Sequence, residues 1–436
     1  MTNVLVVGSK TPGLLDLTSA SDWRRAVPEN PAFTLLKQAR RVLMLQGPVG
    51  PFFDRVAAWL QTRGCAVDRI VFQGGDQADC LAVDPIRFTG TLAEWPAFLS
   101  DLLSARRPDA ILLFGQGRKY HKAALERARA VDLPVVVLEE GYFRPGFVTM
   151  ELGGVNGYST TLDRFEWVPA ADPHAQALQP AVTRMHFQKM AMHATRHYVA
   201  LDKGWSAFPH YEHHRSVDVP AYARYWARSW MRKGLRRGPD RAMQRWLLDT
   251  RQPYYFVPLQ VESDSQVTQH SRYASIAEFI VEVMQSFARH APAKTLLVFR
   301  QHPHARGGPG HHALIQTLAH GLGMAPRVKH LVEADTPALA QHSLGTVVIN
   351  STVGLQAMER GAPLIVMGEA LYKKAGLAFM GALDDFWCHG RPAPADASAR
   401  FLAQVKNLTQ VSACVYALRE EPLGWVGPGA GTQAGQ

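Results

Sequence analysis

DAILLFGQGRKYHKAALERARAVDLPVVVLEEG, residues 109–141, carries the pattern that sets the fold class. Two unbroken apolar runs, Ala110–Phe114 and Pro134–Leu138, bracket a helix-like stretch from Lys122 to Val131. Apolar runs without polar alternation read as strands buried on both faces. An amphipathic helix between two of them is the crossover that parallel pairing requires. The stretch therefore reads strand, helix, strand within a parallel α/β sheet.

The same rhythm extends in both directions. Asn3–Val7, Arg41–Leu45 and Ala66–Phe72 are further strand candidates, with helices over Phe53–Arg63 and Trp95–Ala105. It returns in the second half, where Tyr254–Val257, Thr295–Phe299, Val328–Leu331, Thr346–Ile349 and Leu364–Met367 read as strands. Helical patterns over Ile276–His290, His312–Leu322, Thr336–His342 and Val353–Arg360 separate them. From about Pro169 to Arg251 the strand rhythm stops, and this region holds AYARYWARSWMRKGLRRGPDRAMQRWLL. The expected organisation is a first Rossmann-like lobe over 1–168, a helical basic and aromatic segment over 169–251, and a second lobe over 252–390. Residues 391–436 read as a final helix and a Gly-rich, disordered tail.

With 436 residues, 47% hydrophobic and 19% charged, the chain suits two globular domains. Its net charge of +10 favours anionic partners such as a nucleotide, a phospholipid surface or an acidic sugar. The basic residues join no nucleic-acid-binding module, so nucleic acid is not an expected partner. Four dispersed cysteines, without a CxxC pair, argue against a zinc site or a disulfide framework. No segment reaches the roughly 18 to 20 apolar residues that span a bilayer. The expected location is the cytoplasm, with any membrane contact peripheral.

Ligands of doubly wound sheets bind where strands end and loops turn into helices. Five such loops carry chemistry. LQGPVGPFF, Leu45 to Phe53, permits close backbone approach at its glycines and makes Gln46 and Gly47 candidates for an anionic or sugar ligand. LEEGYFRPGF, Leu138 to Phe147, sets Glu139 and Glu140 side by side before Gly141. Adjacent carboxylates raise each other's proton affinity, a way to hold a general acid, although Arg144 offers a plain ion pair instead. PLQVESDSQVTQHS, Pro258 to Ser271, ends a strand with two acids, three glutamines and a histidine. FRQHPHARG, Phe299 to Gly307, gathers Arg300, His302 and His304 around Pro303, which suits a phosphate or carboxylate better than a metal. INSTVGLQAMERGAPLIVMGEALY, Ile349 to Tyr372, places Asn350, Ser351 and Thr352 before a helix, a phosphate cradle or ordinary capping.

In their order these loops, with FQGGD and GGVN, resemble the bacterial capsule polysaccharide Kdo transferases from about Arg41 to Leu383. The resemblance implies a GT-B-type retaining glycosyltransferase with CMP-β-Kdo as donor and (lyso)phosphatidylglycerol as acceptor. It implies that Gln260 and Asp264 form the QxxxD motif with the catalytic aspartate, and that His302-Pro303 contacts the cytidine nucleotide. Glu139, Glu140 and Gly141 match the acidic motif, and Ser351 and Thr352 the pair that holds the CMP phosphate. Retention fits double displacement, with Asp264 as nucleophile and Glu140 as base, Glu139 and Glu262 being able to exchange roles with them. Arg300 and His302 would neutralise the phosphate, aided by backbone N–H groups after Asn350. No metal or cofactor is then needed. Gln116, Arg118 and His121 are candidates to contact donor or acceptor sugar.

In the basic segment, Trp226, Trp230 and Leu235 could share one helix face against an anionic bilayer, with Arg224, Arg228, Arg232 and Arg236 on others. Gly234, Gly238 and Pro239 are expected to interrupt that helix. Expected partners are the inner-membrane surface, a second Kdo transferase and capsule export machinery. The alternatives are a Kdo-extending or other CMP-keto-sugar transferase, and a non-catalytic glycolipid-binding assembly or export component.

Overall fold

The computed structural model describes residues 29–161, 180–181, 187–213, 219–262, 267, 270–416 and 422–424. The strand expected at Asn3–Val7 and the Gly-rich tail lie outside them. The first lobe runs α1 (Pro31–Gln38), β1 (Arg41–Met44), α2 (Phe52–Gln61), β2 (Ala66–Val71), α3 (Gly74–Ala78), β3 (Ile86–Arg87) and α4 (Trp95–Arg106). It continues through β4 (Ala110–Phe114), α5 (Lys119–Ala130), β5 (Val135–Glu140) and β6 (Phe147–Leu152). Strand–helix–strand over 110–140 is as the sequence predicts, and β4 pairs parallel with β5 from Ile111↔Val135 to Phe114↔Leu138. Alternate residues of β5 enter opposite cores: Val136 and Leu138 pack with Met44 and Leu112, Val135 and Val137 with Leu43 and Ile111. Burial on both faces explains why this strand shows no polar alternation.

Two helices follow, α6 (Phe187–Lys203) and α7 (Val219–Asp249). Helix α7 passes through Gly234, Gly238 and Pro239 without a break, contrary to the interruption the sequence predicts. Pro239 removes one helical N–H, but the residues here are exposed and water can satisfy the freed carbonyl. The inner face of α7 binds the second lobe strongly enough to outweigh the poor propensity. Buried Asp240 accepts from the N–H groups of Val332 (2.8 Å) and Glu333 (2.9 Å), and Gln244 accepts from that of Asp335 (2.9 Å).

The second lobe comprises β7 (Tyr254–Pro258), α8 (Ile276–His290), β8 (Leu296–Arg300), α9 (His312–Gly321), β9 (Val328–Leu331), α10 (Thr336–Gln341), β10 (Gly345–Val348), α11 (Val353–Glu359) and β11 (Leu364–Val366). Its strands are parallel in the order β11-β10-β7-β8-β9. Helix α8 is N-capped by Ser275, which accepts from the Glu278 N–H, and turns Phe279, Ile280, Val283, Met284 and Phe287 into the core. Each such burial contributes roughly 1.5–3 kcal/mol.

The chain then forms α12 (Leu383–His389) and α13 (Ala395–Thr409) and returns to the first lobe as β12 (Gln410–Ala413), with β13 (Leu423–Gly424) beyond it. Here the all-parallel expectation needs correction. Strands β5 and β6 pair antiparallel, as do β6 and β12, so the first sheet is mixed. Strands β6 and β12, FVTMEL and QVSA, interrupt their apolar residues with Thr, Glu, Gln and Ser and so lack the run that marks β4 and β5. The result is a pair of Rossmann-like lobes. Tyr142, Phe143 and Phe147 of the first share one apolar cluster with Phe256 and Val298 of the second and Phe401 and Leu402 of α13. No described helix is long and apolar enough to cross a membrane.

Candidate active site

The centre of the second sheet brings three of the predicted loops together. Strands β10, β7 and β8 are neighbours, so their carboxyl ends present Asn350, Gln260 and Arg300 side by side. Gln260, buried at the end of β7, donates from Nε2 to Asn350 Oδ1 (3.0 Å) and accepts from the Asn350 N–H (3.4 Å). Asn350 Nδ2 in turn donates to the His270 carbonyl (3.4 Å), which also accepts from the Glu369 N–H (2.7 Å). This reciprocal amide pair locks the QxxxD loop to the loop after β10. Asp264 itself lies outside the described residues. Glu262 is placed: it faces His311 Nε2 at 3.3 Å and is more than half exposed.

Arg300 donates to the carbonyls of Gln301 (2.9 Å) and Ala334 (3.4 Å), and burial lowers its pKa to about 10. The next loop begins a 3-10 turn at Pro303. His302 Nδ1 accepts from the His304 N–H (3.1 Å), which assigns the ring proton to Nε2. Burial, then the neighbouring His304 and Arg300, pushes the His302 pKa down to about 3. In this arrangement His302 is a neutral hydrogen-bond donor through Nε2–H. Ser351 Oγ accepts from the Val353 N–H (3.3 Å), and Tyr372 donates its hydroxyl proton to the Ser351 carbonyl. Thr352 occupies the cap position of α11 without a side-chain cap bond.

Across the cleft, Glu139 and Glu140 end β5 opposite Thr149 and Val148. Successive strand residues point to opposite faces, so the two side chains leave β5 in different directions. Glu140 forms an ion pair with Arg144. Glu139 lies instead beside Gly115 and Arg118, where a Cβ on Gly115 would stand 3.9 Å from Glu139 Oε1 and 3.4 Å from Arg118 Nε. Arg144 lies within electrostatic reach of His302, so the acidic loop and the His-Pro loop face each other. Gly141 is sterically constrained, with the backbone of Phe147 packed against it.

Gln46 and Gly47 fall in a separate polar cluster at the carboxyl ends of the first lobe's strands. Gln46 Nε2 donates to Asp76 Oδ2 (2.8 Å) and to the Tyr211 hydroxyl (2.9 Å), and the Gln46 N–H donates to His121 Nε2 (3.2 Å). Burial raises the pKa of Asp76, opposed by His197 and Arg118. His197 of α6 contacts Asp79 at 2.7 Å, and Asp79 accepts from the Gly50 N–H (3.0 Å). Gly47 leaves no space, because a Cβ would meet the Phe53 ring at 2.5 Å. Gln116 holds both N–H and carbonyl of Val155 at 3.1 Å. Among the described residues, no group of three or more His, Cys, Asp or Glu could hold a metal ion.

Residues 109–416 match the family described as "Capsule polysaccharide biosynthesis protein". The chain belongs to this family. The capsule polysaccharide biosynthesis chain is 37% identical to "Capsule polysaccharide export protein KpsS" of Escherichia coli, over 88% of its length and 99% of that protein. It is 31% identical to "Capsule polysaccharide modification protein LipB" of Neisseria meningitidis serogroup A, over 90% of its length and 96% of that protein. Among solved structures, "Thermosulfurimonas dismutans KpsC, beta Kdo 2,7 transferase" aligns with 86% of this chain and 92% of its own, at 12% identity and TM-score 0.41.

Three groups of this family member escape a reading of its sequence. His270 stacks edge-on against Tyr158 of the first lobe (4.7 Å), and its Nε2 is buried with no hydrogen-bond partner. It ends the QVTQHS stretch, so its place beside the predicted motif was the available signal. Gln410 of β12 accepts from the Tyr142 N–H (2.9 Å) and so pins the acidic loop from 268 residues away. Buried Glu151 accepts from the Tyr142 hydroxyl (3.1 Å) and the Ser159 hydroxyl. No local motif marks either of these two.

Burial raises the Glu151 pKa from 4.5 to about 7. The folded state thus holds this proton more tightly than the unfolded chain, and the stability it contributes is complete below about pH 4.5 and lost as pH rises through about 7. Glu151→Gln, neutral at every pH, is expected to remove that slope and to be more stable than wild type at pH 8 by up to about 3 kcal/mol. Thermal melts across pH 5 to about 8 check it; an unchanged slope would place the titration elsewhere.

Proposed function

We propose that this chain is a retaining glycosyltransferase that moves β-Kdo from CMP-β-Kdo to a (lyso)phosphatidylglycerol acceptor at the inner-membrane surface, priming the poly-Kdo linker of a capsular polysaccharide. The observation that carries the reading is that the Gln260–Asn350 pair and the His302 loop follow neighbouring strands of the second sheet, with Arg144 of the acidic loop within electrostatic reach of His302. Family membership and the ordered motifs support it, and the second-lobe residues suit the nucleotide. Arg300 and the neutral Nε2–H of His302 supply donors for the leaving phosphate, with Ser351 and Thr352 beside them.

The anomeric carbon of Kdo carries a carboxylate and is crowded, so loss of CMP develops an oxocarbenium-like centre. In the first step Asp264 forms a bond to that carbon as the bond to the CMP phosphate oxygen breaks, and CMP leaves with the electron pair. In the second, the acceptor hydroxyl attacks the same carbon, Asp264 departs as carboxylate, and Glu140 takes the hydroxyl proton. Two inversions give net retention. No step calls on a metal.

Incubation with CMP-Kdo and a fluorescent phosphatidylglycerol analogue, followed by mass spectrometry, is expected to add one Kdo mass. Turnover of CMP-sialic acid alone would replace the donor. The relatives' names speak of export as well as modification, and absence of transfer with retained glycolipid binding would favour an assembly component. The Gln260 clamp gives a finer test. Gln260→Ala removes both bonds between Gln260 and Asn350 and is expected to lower kcat/KM about 10- to 100-fold with little change in melting temperature. A wild-type rate would show that the clamp has no part in catalysis.

A further inference from the structure

Helix α7 turns an unusual pair of faces to its surroundings. Its inner face is polar and grips backbone: Tyr225 donates its hydroxyl proton to the His304 carbonyl, and Arg232 donates to the carbonyls of Arg306 (2.7 Å) and Gly308. Arg236 donates to the His330 carbonyl (3.0 Å), and Asp240 and Gln244 continue the row. The outer face carries the exposed apolar groups, while Met243 and Leu247 pack into the core. Trp230 is 49% exposed, Met231 58%, Leu235 68% and Trp246 42%. At 3.6 residues per turn, exposed Arg224, Arg228, Arg237, Arg241 and Arg245 fall on that same half of the helix. Apart from buried Asp240, no acid occurs between Arg224 and Leu248.

We infer that the outer face of α7 is the surface that docks this protein on an anionic phospholipid bilayer, an inference that rests on the membrane-surface reading above and gives it a site. Large exposed apolar side chains cost solvation in water, and five exposed guanidinium groups, with Asp249 one turn past Arg245 the helix's only exposed acid, seek phosphate. A protein partner of ordinary composition would meet the five arginines with several carboxylates; a lipid headgroup layer meets them with its phosphates and takes up the Trp, Met and Leu side chains. The inner face of the same helix holds the His302–Gly308 loop. Docking would therefore bring that loop to within one helix diameter, about 10–12 Å, of the headgroups. The acceptor could then enter the cleft without leaving the bilayer.

Cosedimentation of the full chain with vesicles of phosphatidylcholine alone, and of phosphatidylcholine with phosphatidylglycerol, tests this. Wild type is expected to bind the anionic vesicles at least about tenfold more tightly, consistent with several arginines near the surface. Arg237→Glu with Arg241→Glu, and separately Met231→Asp with Leu235→Asp, are expected to weaken binding, each altered charge counting for about fivefold. All four side chains are exposed or bind nothing in the core, and matching melting curves confirm folding. Variants that bind as wild type does would overturn the docking face alone. Wild type that ignores both vesicles, or is retained only by a soluble polyanion such as heparin, would overturn it together with the membrane location. Neither arm contains a nucleotide sugar, so the result is independent of whether transfer from CMP-Kdo occurs.

Discussion

Asp264→Asn is expected to abolish transfer, by roughly a thousandfold or more, while leaving the protein folded and able to bind CMP. The argument is chemical. An amide of the same shape and size cannot form the glycosyl ester that the first displacement requires. Its neighbours are poor replacements: Glu262 lies against His311 at the surface, and Gln260 is held by Asn350. Single-turnover assays with CMP-Kdo would show the loss in the first step, and intact-mass measurement of wild type with donor alone should reveal one added Kdo that the variant lacks. A variant that still turns over at a near wild-type rate would move the nucleophile to another carboxylate, with Glu139 the next to replace.

Gly141→Ala is expected to be the most destabilising single methyl group that can be added near the cleft. A Cβ there would stand 2.3 Å from the Phe147 carbonyl oxygen and 2.6 Å from its carbon. Those atoms belong to backbone at the start of β6 and cannot rotate aside as a side chain would. The β5–β6 connection must open, at a cost on the order of 3 kcal/mol or more. Opening it also displaces Glu140 and loosens the Tyr142–Gln410 bond, so transfer should fall even in molecules that remain folded. Gly117→Ala supplies the control, since nothing lies within 4 Å of its added carbon. Thermal melts and transfer rates of the two variants side by side check the contrast. Equal melting temperatures would mean that the hairpin yields more easily than its packing indicates.

What the sequence made legible follows from how each element is stabilised. Strands buried on both faces must be apolar throughout, so β4, β5, β7 and β8 are visible as Val, Leu and Phe runs. Strands β6 and β12 are specified by a partner 261 residues distant, Thr149 with Gln410, and no local pattern records that pairing. Helix α7 failed the propensity reading for a related reason. Its glycines and proline argue against a helix locally, but Asp240 and Gln244 are anchored to loops of the second lobe. At the site, residue types in order on strand-end loops marked Gln260, Asn350 and His302 as candidates, and the strand order of the second sheet sets their loops side by side. Their ionic states were not legible, because the charge on His302 depends on burial and the separation of Glu139 from Glu140 depends on strand pleat.

The return of β12 to the first sheet also governs how the molecule is made. During synthesis the residues of β6 emerge long before Gln410, and the first lobe must wait, with one strand edge unpaired, until residues 410–413 have been made. The second lobe, from β7 to β11, has no such dependence and can assemble as a continuous unit while the first is still incomplete. A nascent chain of this protein therefore completes its later half first. Truncation before residue 410 should spare the second lobe and leave the first as the aggregation-prone part.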